Sequence, residues 1–86
     1  AMYRAATWLV LQANLECQDR VAVAELIGQA QIQLISDANT PNGLRVQVNG
    51  QDVTEAIRGL EVTAHVSQIA AQPAVRQLLV QQQRRY

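Results

Sequence analysis

Met2 to Glu16 contains neither glycine nor proline, is rich in alanine and leucine, and carries apolar residues on nearly every face. Such a run predicts a helix over about 2–16, and a helix that is apolar all round belongs inside a larger body. The whole chain has only 86 residues, one small domain at most, which leaves little to cover that helix on all sides. It also begins in helix-forming sequence without an initiator methionine. Both features lead to the expectation of a single truncated unit, 1–86, taken from something longer.

The rest of the chain reads as short alternating elements. Asp19 is placed to cap a helix over about 19–30, with Val23, Leu26, Ile27 and Ala30 at helical spacing. Gln31 to Ser36 and Arg45 to Asn49 alternate, with Ile32, Leu34, Val46 and Val48 inward and Gln31, Gln33, Arg45 and Gln47 outward. The stretch Asp37-Ala-Asn-Thr-Pro-Asn-Gly43 joins them as a turn, which gives a hairpin. Asn49-Gly50 is a second turn signal, so Gln51 to Val53 returns as a short third strand and the hairpin region covers about 31–53. Asp52, three residues before Glu55, suggests a capping box opening a short helix through Arg58. Gly59 ends it. Helices over about 54–86 complete the chain, with one stripe of Val62, Val66, Ile69 and Ala70 and another of Val75, Leu78 and Leu79 behind Pro73. The polar tail Gln81-Gln-Gln-Arg-Arg-Tyr86 is expected to fray. The predicted class is α+β, with helices flanking a small two- to three-stranded antiparallel sheet.

Charge and composition exclude several functions. Seven arginines, with no lysine, balance seven acidic residues, and a neutral chain is a poor sequence-independent nucleic-acid binder. Thirteen glutamines and thirteen alanines fill the place of the missing charges; the 49% hydrophobic content argues against wholesale disorder. No apolar run approaches the roughly 18 residues of a membrane span, and no signal peptide is visible. The single Cys17 cannot close an intrachain disulfide, so a reducing cytoplasm is the default compartment.

Catalytic signals are sparse. His65 stands alone, without ligands at metal-binding spacing, and reads as structural or solvated. Cys17 reads as a buried, inert thiol. Ser36 and Ser67 lack the context of a nucleophile elbow, and neither Gly-x-x-x-x-Gly-Lys-[Ser/Thr] nor Gly-x-Gly-x-x-Gly is present. The arginines remain. Arg4 heads an otherwise apolar helix and Arg76 lies beside an apolar stripe; their planar donors suit phosphate or the acceptor edge of a base, and ordinary surface charge is the alternative.

Four ordered stretches carry a resemblance. Ala1-Met-Tyr-Arg4 resembles the end of the Ser-Gly-Ala-[Ile/Met]-Tyr-Arg stretch of bacterial cytidylate kinases. Val48-Asn-Gly-Gln-Asp-Val-Thr-Glu-Ala-Ile-Arg58 is similar to a second family stretch, and Glu61-Val62 with Ser67-Gln-Ile-Ala-Ala to a third. Pro73-Ala-Val-Arg-Gln-Leu-Leu with Gln83-Arg84 completes the series. The resemblance implies that the chain is a fragment of an α/β P-loop nucleoside-monophosphate kinase, the region that binds the acceptor CMP or dCMP. On that basis Arg4 holds the acceptor phosphate, Ser67 and Arg76 recognise the cytosine ring, and Tyr3 is a pocket neighbour. Gly50, Asp52 and Arg58 match family positions and are read as structural: turn, cap and packing.

The same comparison marks what is missing. The chain has no P-loop and stops before the family's Arg-Asp motif and its arginine-bearing lid. No catalytic residue, metal or cofactor is therefore expected within it; ATP and magnesium would sit in the parent enzyme, alongside the remaining core and lid. The isolated piece is expected to be inactive as a kinase. The alternative is a small cytoplasmic protein–protein interaction or oligomerisation module, in which Arg4, Ser67 and Arg76 share no task and exposed helix faces drive self-association.

Overall fold

A computed structural model describes residues 2–41 and 43–83, with side chains through Gln82. In chain order the elements are α1 (Met2–Gln12), α2 (Arg20–Gln29), β1 (Ile32–Ser36), β2 (Leu44–Val48), β3 (Gln51–Asp52), a 3-10 turn (Ala56–Arg58), α3 (Leu60–Ala70) and α4 (Pro73–Gln83). The three strands form one antiparallel sheet in the order β1-β2-β3. The class is α+β, as the periodicities predict.

α1 is the keel of the molecule. It packs against α2, α3, the 3-10 turn, β1 and β2, and Met2, Ala5, Ala6, Thr7 and Val10 are buried. The helix that looked too apolar for a chain this small is thus largely covered by the chain itself. Small inward residues let the neighbours approach closely, and Thr7 hides its hydroxyl by donating to the Tyr3 carbonyl at 2.7 Å.

α1 also stops at Gln12 rather than Glu16. Asn14 takes a left-handed conformation, with φ at 57°. Its amide donates to the Leu11 carbonyl at 3.1 Å and the Leu15 amide to the Val10 carbonyl at 3.2 Å. Those paired bonds are a Schellman ending, with asparagine at the position usually given to glycine. Apolar content predicted a longer helix because it does not register this local stop.

Asp19 caps α2 as expected, accepting from the Ala22 amide at 3.2 Å. In the sheet, Ile32 faces Val48 and Leu34 faces Val46; Ile32, Val46 and Val48 are buried in the core shared with α1. Asn49 and Gly50 both have positive φ, 53° and 83°, the primed-turn geometry that suits the twist of a two-residue hairpin. Asn49 lies in that turn rather than in the strand, and its side-chain oxygen accepts from the Gln31 amide at 2.9 Å.

Two local expectations are corrected. Asp52 does not open a capping box. It lies in β3, where its carboxylate accepts from the Thr54 amide at 2.9 Å and pairs with Arg45 at 2.7 Å; Glu55 precedes a 3-10 turn without a side-chain cap. The tail is also not uniformly loose. α4 runs to Gln83, and Gln82 accepts from the Ile32 amide at 3.0 Å while donating to the carbonyls of Ile27 and Ala30 at 3.3 and 3.2 Å. That amide ties α4 to the α2–β1 junction. Arg84, Arg85 and Tyr86, the end of the tail expected to fray, lie outside the described residues, as do Ala1 and Asn42.

Candidate functional site

The 3-10 turn is hung from the sheet. Val53 donates to the Val46 carbonyl at 2.9 Å and Ile57 to the Val53 carbonyl at 3.0 Å. The Thr54 hydroxyl accepts from the Val46 amide at 2.9 Å. Val53 and Ile57 are buried, which fixes the backbone that carries Arg58. Gly59 then leads into α3, which packs along α1.

Arg4, in the first turn of α1, reaches across this junction. Its Nε donates to the Ile57 carbonyl at 2.9 Å and its Nη2 to the Thr63 hydroxyl at 2.7 Å. Thr63 Oγ1 in turn donates to the Gly59 carbonyl at 3.2 Å. Nε and Nη2 form one edge of the guanidinium plane, so both ends of that edge are engaged. Among the described residues the end edge, Nη1 with the second Nη2 hydrogen, meets no acceptor and keeps its donors for another.

Arg4 and Arg58 line one cavity of about 380 Å³. Leu44 and Val46 of β2 and Ile57 give it an apolar part, and Thr40, Pro41 and Thr54 complete the lining. Among the described residues the ion pairs are those of Arg45, to Asp37 at 2.8 Å and Asp52 at 2.7 Å. Arg4 and Arg58 therefore bring two positive charges to the cavity with no carboxylate among the described residues to offset them. A concave, partly apolar site of this size with convergent cationic donors suits an oxyanion attached to an organic group.

The other sequence-derived candidates lie apart from that cavity. Ser67 is exposed on α3, one helical turn beyond Thr63, and so follows the face that meets Arg4. Arg76 is exposed in the first turn of α4, its amide bonded to the Gln72 carbonyl at 3.2 Å. Neither side chain lines the Arg4–Arg58 cavity. Tyr3 is half-buried against the core and does not line it either. The structure brings Arg4 together with Arg58, which the sequence suggested was structural, and with Thr63, which it did not single out.

A second concavity, of about 470 Å³, lies between the loop after α1 and the outer face of α3, and includes Cys17, Glu61 and His65. Burial, with Glu16 adding to it, pushes the Cys17 thiol above its ordinary value. His65 Nδ1 lies 2.8 Å from the Glu61 carbonyl; a carbonyl only accepts, so Nδ1 carries the proton. Among the described residues no group of three His, Cys, Asp or Glu side chains is arranged to hold a metal ion. No helix of the described residues is long and apolar enough to cross a membrane.

Comparison with known proteins fits this frame. The family model described as cytidylate kinase matches residues 1–86. A bifunctional pantoate ligase/cytidylate kinase of Trichodesmium erythraeum is 51% identical over 86 residues, which cover 100% of this chain and 16% of that protein. The protein of the same description from Synechococcus elongatus is 55% identical over 98% of this chain, again 16% of the relative. This chain belongs to the cytidylate kinase family. It spans 16% of the length of these relatives.

Proposed function

We propose that the chain is the acceptor-nucleotide region of a cytidylate kinase, a cytoplasmic enzyme of pyrimidine metabolism that transfers the γ-phosphoryl group of ATP to CMP or dCMP. Arg4 holds the acceptor phosphate with the end edge of its guanidinium, and Arg58 adds charge from the same cavity. Ser67 and Arg76 read the cytosine: the guanidinium donates to the O2 and N3 acceptors of the ring, and the hydroxyl both gives and accepts. Tyr3 stands beside this pocket.

The observation that carries this reading is the Arg4–Arg58 pair at one cavity, uncompensated by acidic side chains among the described residues, in a member of this family. Phosphoryl transfer rests on positioning and on electrostatic stabilisation of the transferring group. The residues present do not fit ATP and magnesium: there is no P-loop sequence and, among the described residues, no carboxylate cluster for a cation. The donor nucleotide is accordingly assigned to the remaining core and lid of a parent kinase, and the 86-residue chain alone is expected to be inactive.

Titration of the isotope-labelled chain with CMP, with AMP as control, tests the assignment. Amide shifts at Arg4, Arg58, Ser67 and Arg76 with CMP alone are expected. An equal response to AMP, or shifts confined to other faces, overturns it.

A second reading, an interaction or oligomerisation module, draws on Leu60, which is 88% exposed at the rim of a concavity lined by Trp8 and Leu11. Sedimentation distinguishes the two: a stable dimer that Leu60→Ser dissociates, together with no CMP response, favours the module.

A further inference from the structure

The geometry points to Thr63 as a positioning residue for anion binding, an inference that rests on the acceptor-site function proposed above. A guanidinium can meet a phosphate monoester side-on, through Nε and one Nη, or end-on, through both Nη atoms. In this chain the side-on edge is filled from within the protein, by the Ile57 carbonyl at 2.9 Å and the Thr63 hydroxyl at 2.7 Å. The Ile57 carbonyl alone fixes one nitrogen and leaves the plane free to swing about that bond. Thr63 fixes the second nitrogen and so sets the direction of the end edge.

Thr63 is itself held. Its hydroxyl donates to the Gly59 carbonyl at 3.2 Å, so its lone pairs are left to accept from Arg4. Gly59 directly follows Arg58, and Ile57 directly precedes it. The two contacts that orient Arg4 therefore trace back to the backbone on either side of the second cavity arginine. One hydroxyl couples the two cavity arginines: it registers Arg4 against the segment that presents Arg58. The ligand class this favours is a phosphate monoester, whose terminal oxygens can be shared between an end-on Arg4 and Arg58.

The test uses the whole chain and three variants. Thr63→Val keeps the shape and removes the hydroxyl, and Thr63→Ser restores it. CMP affinity is expected to fall about tenfold in Thr63→Val, the scale of one hydrogen bond to a charged group, and to return to within about twofold in Thr63→Ser. Cytidine, which lacks the phosphate, should bind Thr63→Val and wild type alike, a result that general loss of structure would not give. The Arg4 Nε–Hε resonance should exchange faster with water in Thr63→Val. Thr63→Ala serves as a check on packing, with the same CMP loss expected. Unchanged CMP affinity in Thr63→Val overturns the positioning role while leaving the acceptor site intact. Equal losses for CMP and cytidine also overturn it. Failure of the wild-type chain to bind CMP overturns the acceptor-site assignment and this role with it.

Discussion

Arg4 Nε donates to the carbonyl of Ile57 across 2.9 Å, joining residues 53 positions apart in the chain. With the Thr63 contact on the neighbouring nitrogen, the bond fastens the start of α1 to both the 3-10 turn and α3. Arg4→Lys keeps the charge but loses the planar fork, and a single ammonium cannot reproduce two coplanar donors. The variant should lose about 1–2 kcal/mol of stability, on the scale of hydrogen bonds made by charged groups. Urea denaturation measures this directly; an unchanged midpoint would show that the bridge contributes nothing.

The helix ending at Asn14 makes an opposite-signed pair of predictions. With φ at 57°, alanine there should cost about 1 kcal/mol, because a Cβ without a compensating polar group is disfavoured in the left-handed region. Asn14→Gly should match or slightly exceed wild type. Thermal melts of the two variants are sufficient to rank them.

Gln82 makes three hydrogen bonds to the α2–β1 junction, whereas its neighbour Gln81 is exposed. Gln82→Ala is expected to destabilise the chain by about 1–3 kcal/mol, and Gln81→Ala to stay within about 0.5 kcal/mol. Equal effects of the two would remove the junction from the list of stabilising features.

Asp52 gives a pH dependence. The Thr54 amide, then the Thr54 hydroxyl and the Arg45 guanidinium, hold its carboxyl below the ordinary value of 3.8. A depressed carboxylate stabilises the folded chain above its unfolded value, and that contribution disappears as pH falls through the folded one. Wild type should therefore lose stability on acidification below about pH 4 more steeply than Asp52→Asn. Denaturation midpoints across pH 2–6 compare the slopes; parallel curves would count against the coupling.

Cys17 is buried and its thiol is held protonated to higher pH than usual. Since the thiolate is the reactive form, the native chain should react with a thiol-directed disulfide reagent much more slowly than the urea-unfolded chain at pH 8. Rapid reaction without denaturant would place the thiol at the surface.

What could be read from the sequence follows from what periodicity reports. The alternation of Ile32, Leu34, Val46 and Val48 located the hairpin, and Asn49-Gly50 its second turn, because strand pairing and turn geometry are local constraints. The stripes containing Ile69 and Val75 placed α3 and α4 for the same reason. The stop at Asn14 was not apparent, since asparagine enters the left-handed region without announcing it through hydropathy. The glutamines misled most. A glutamine-rich composition looks like solvated filler, yet Gln72 is buried and donates to the carbonyls of Cys17 and Gln68, and Gln82 clasps three backbone groups. Arg58 reads as a packing residue in the sequence, where nothing links it to Arg4; only the folded chain brings both to one cavity. Thr63 carried one usable signal, its spacing of one turn before Ser67, but a hydroxyl acquires a role only once its partner from α1 arrives.

The placement of Arg4 on the keel helix has a consequence for how this protein can change. A functional group on a loop can be moved by drift in the loop alone, but Arg4 rides on the helix that packs against α2, α3, the 3-10 turn and two strands of the sheet. On the acceptor-site proposal, substitutions that shift α1 alter the anion contact and the integrity of the fold in one stroke. Arg58, Ser67 and Arg76 stand on exposed surfaces, where replacement disturbs little else. Under the same proposal the base-reading positions Ser67 and Arg76 can be exchanged without disturbing the core, while the phosphate contact is tied to the architecture itself.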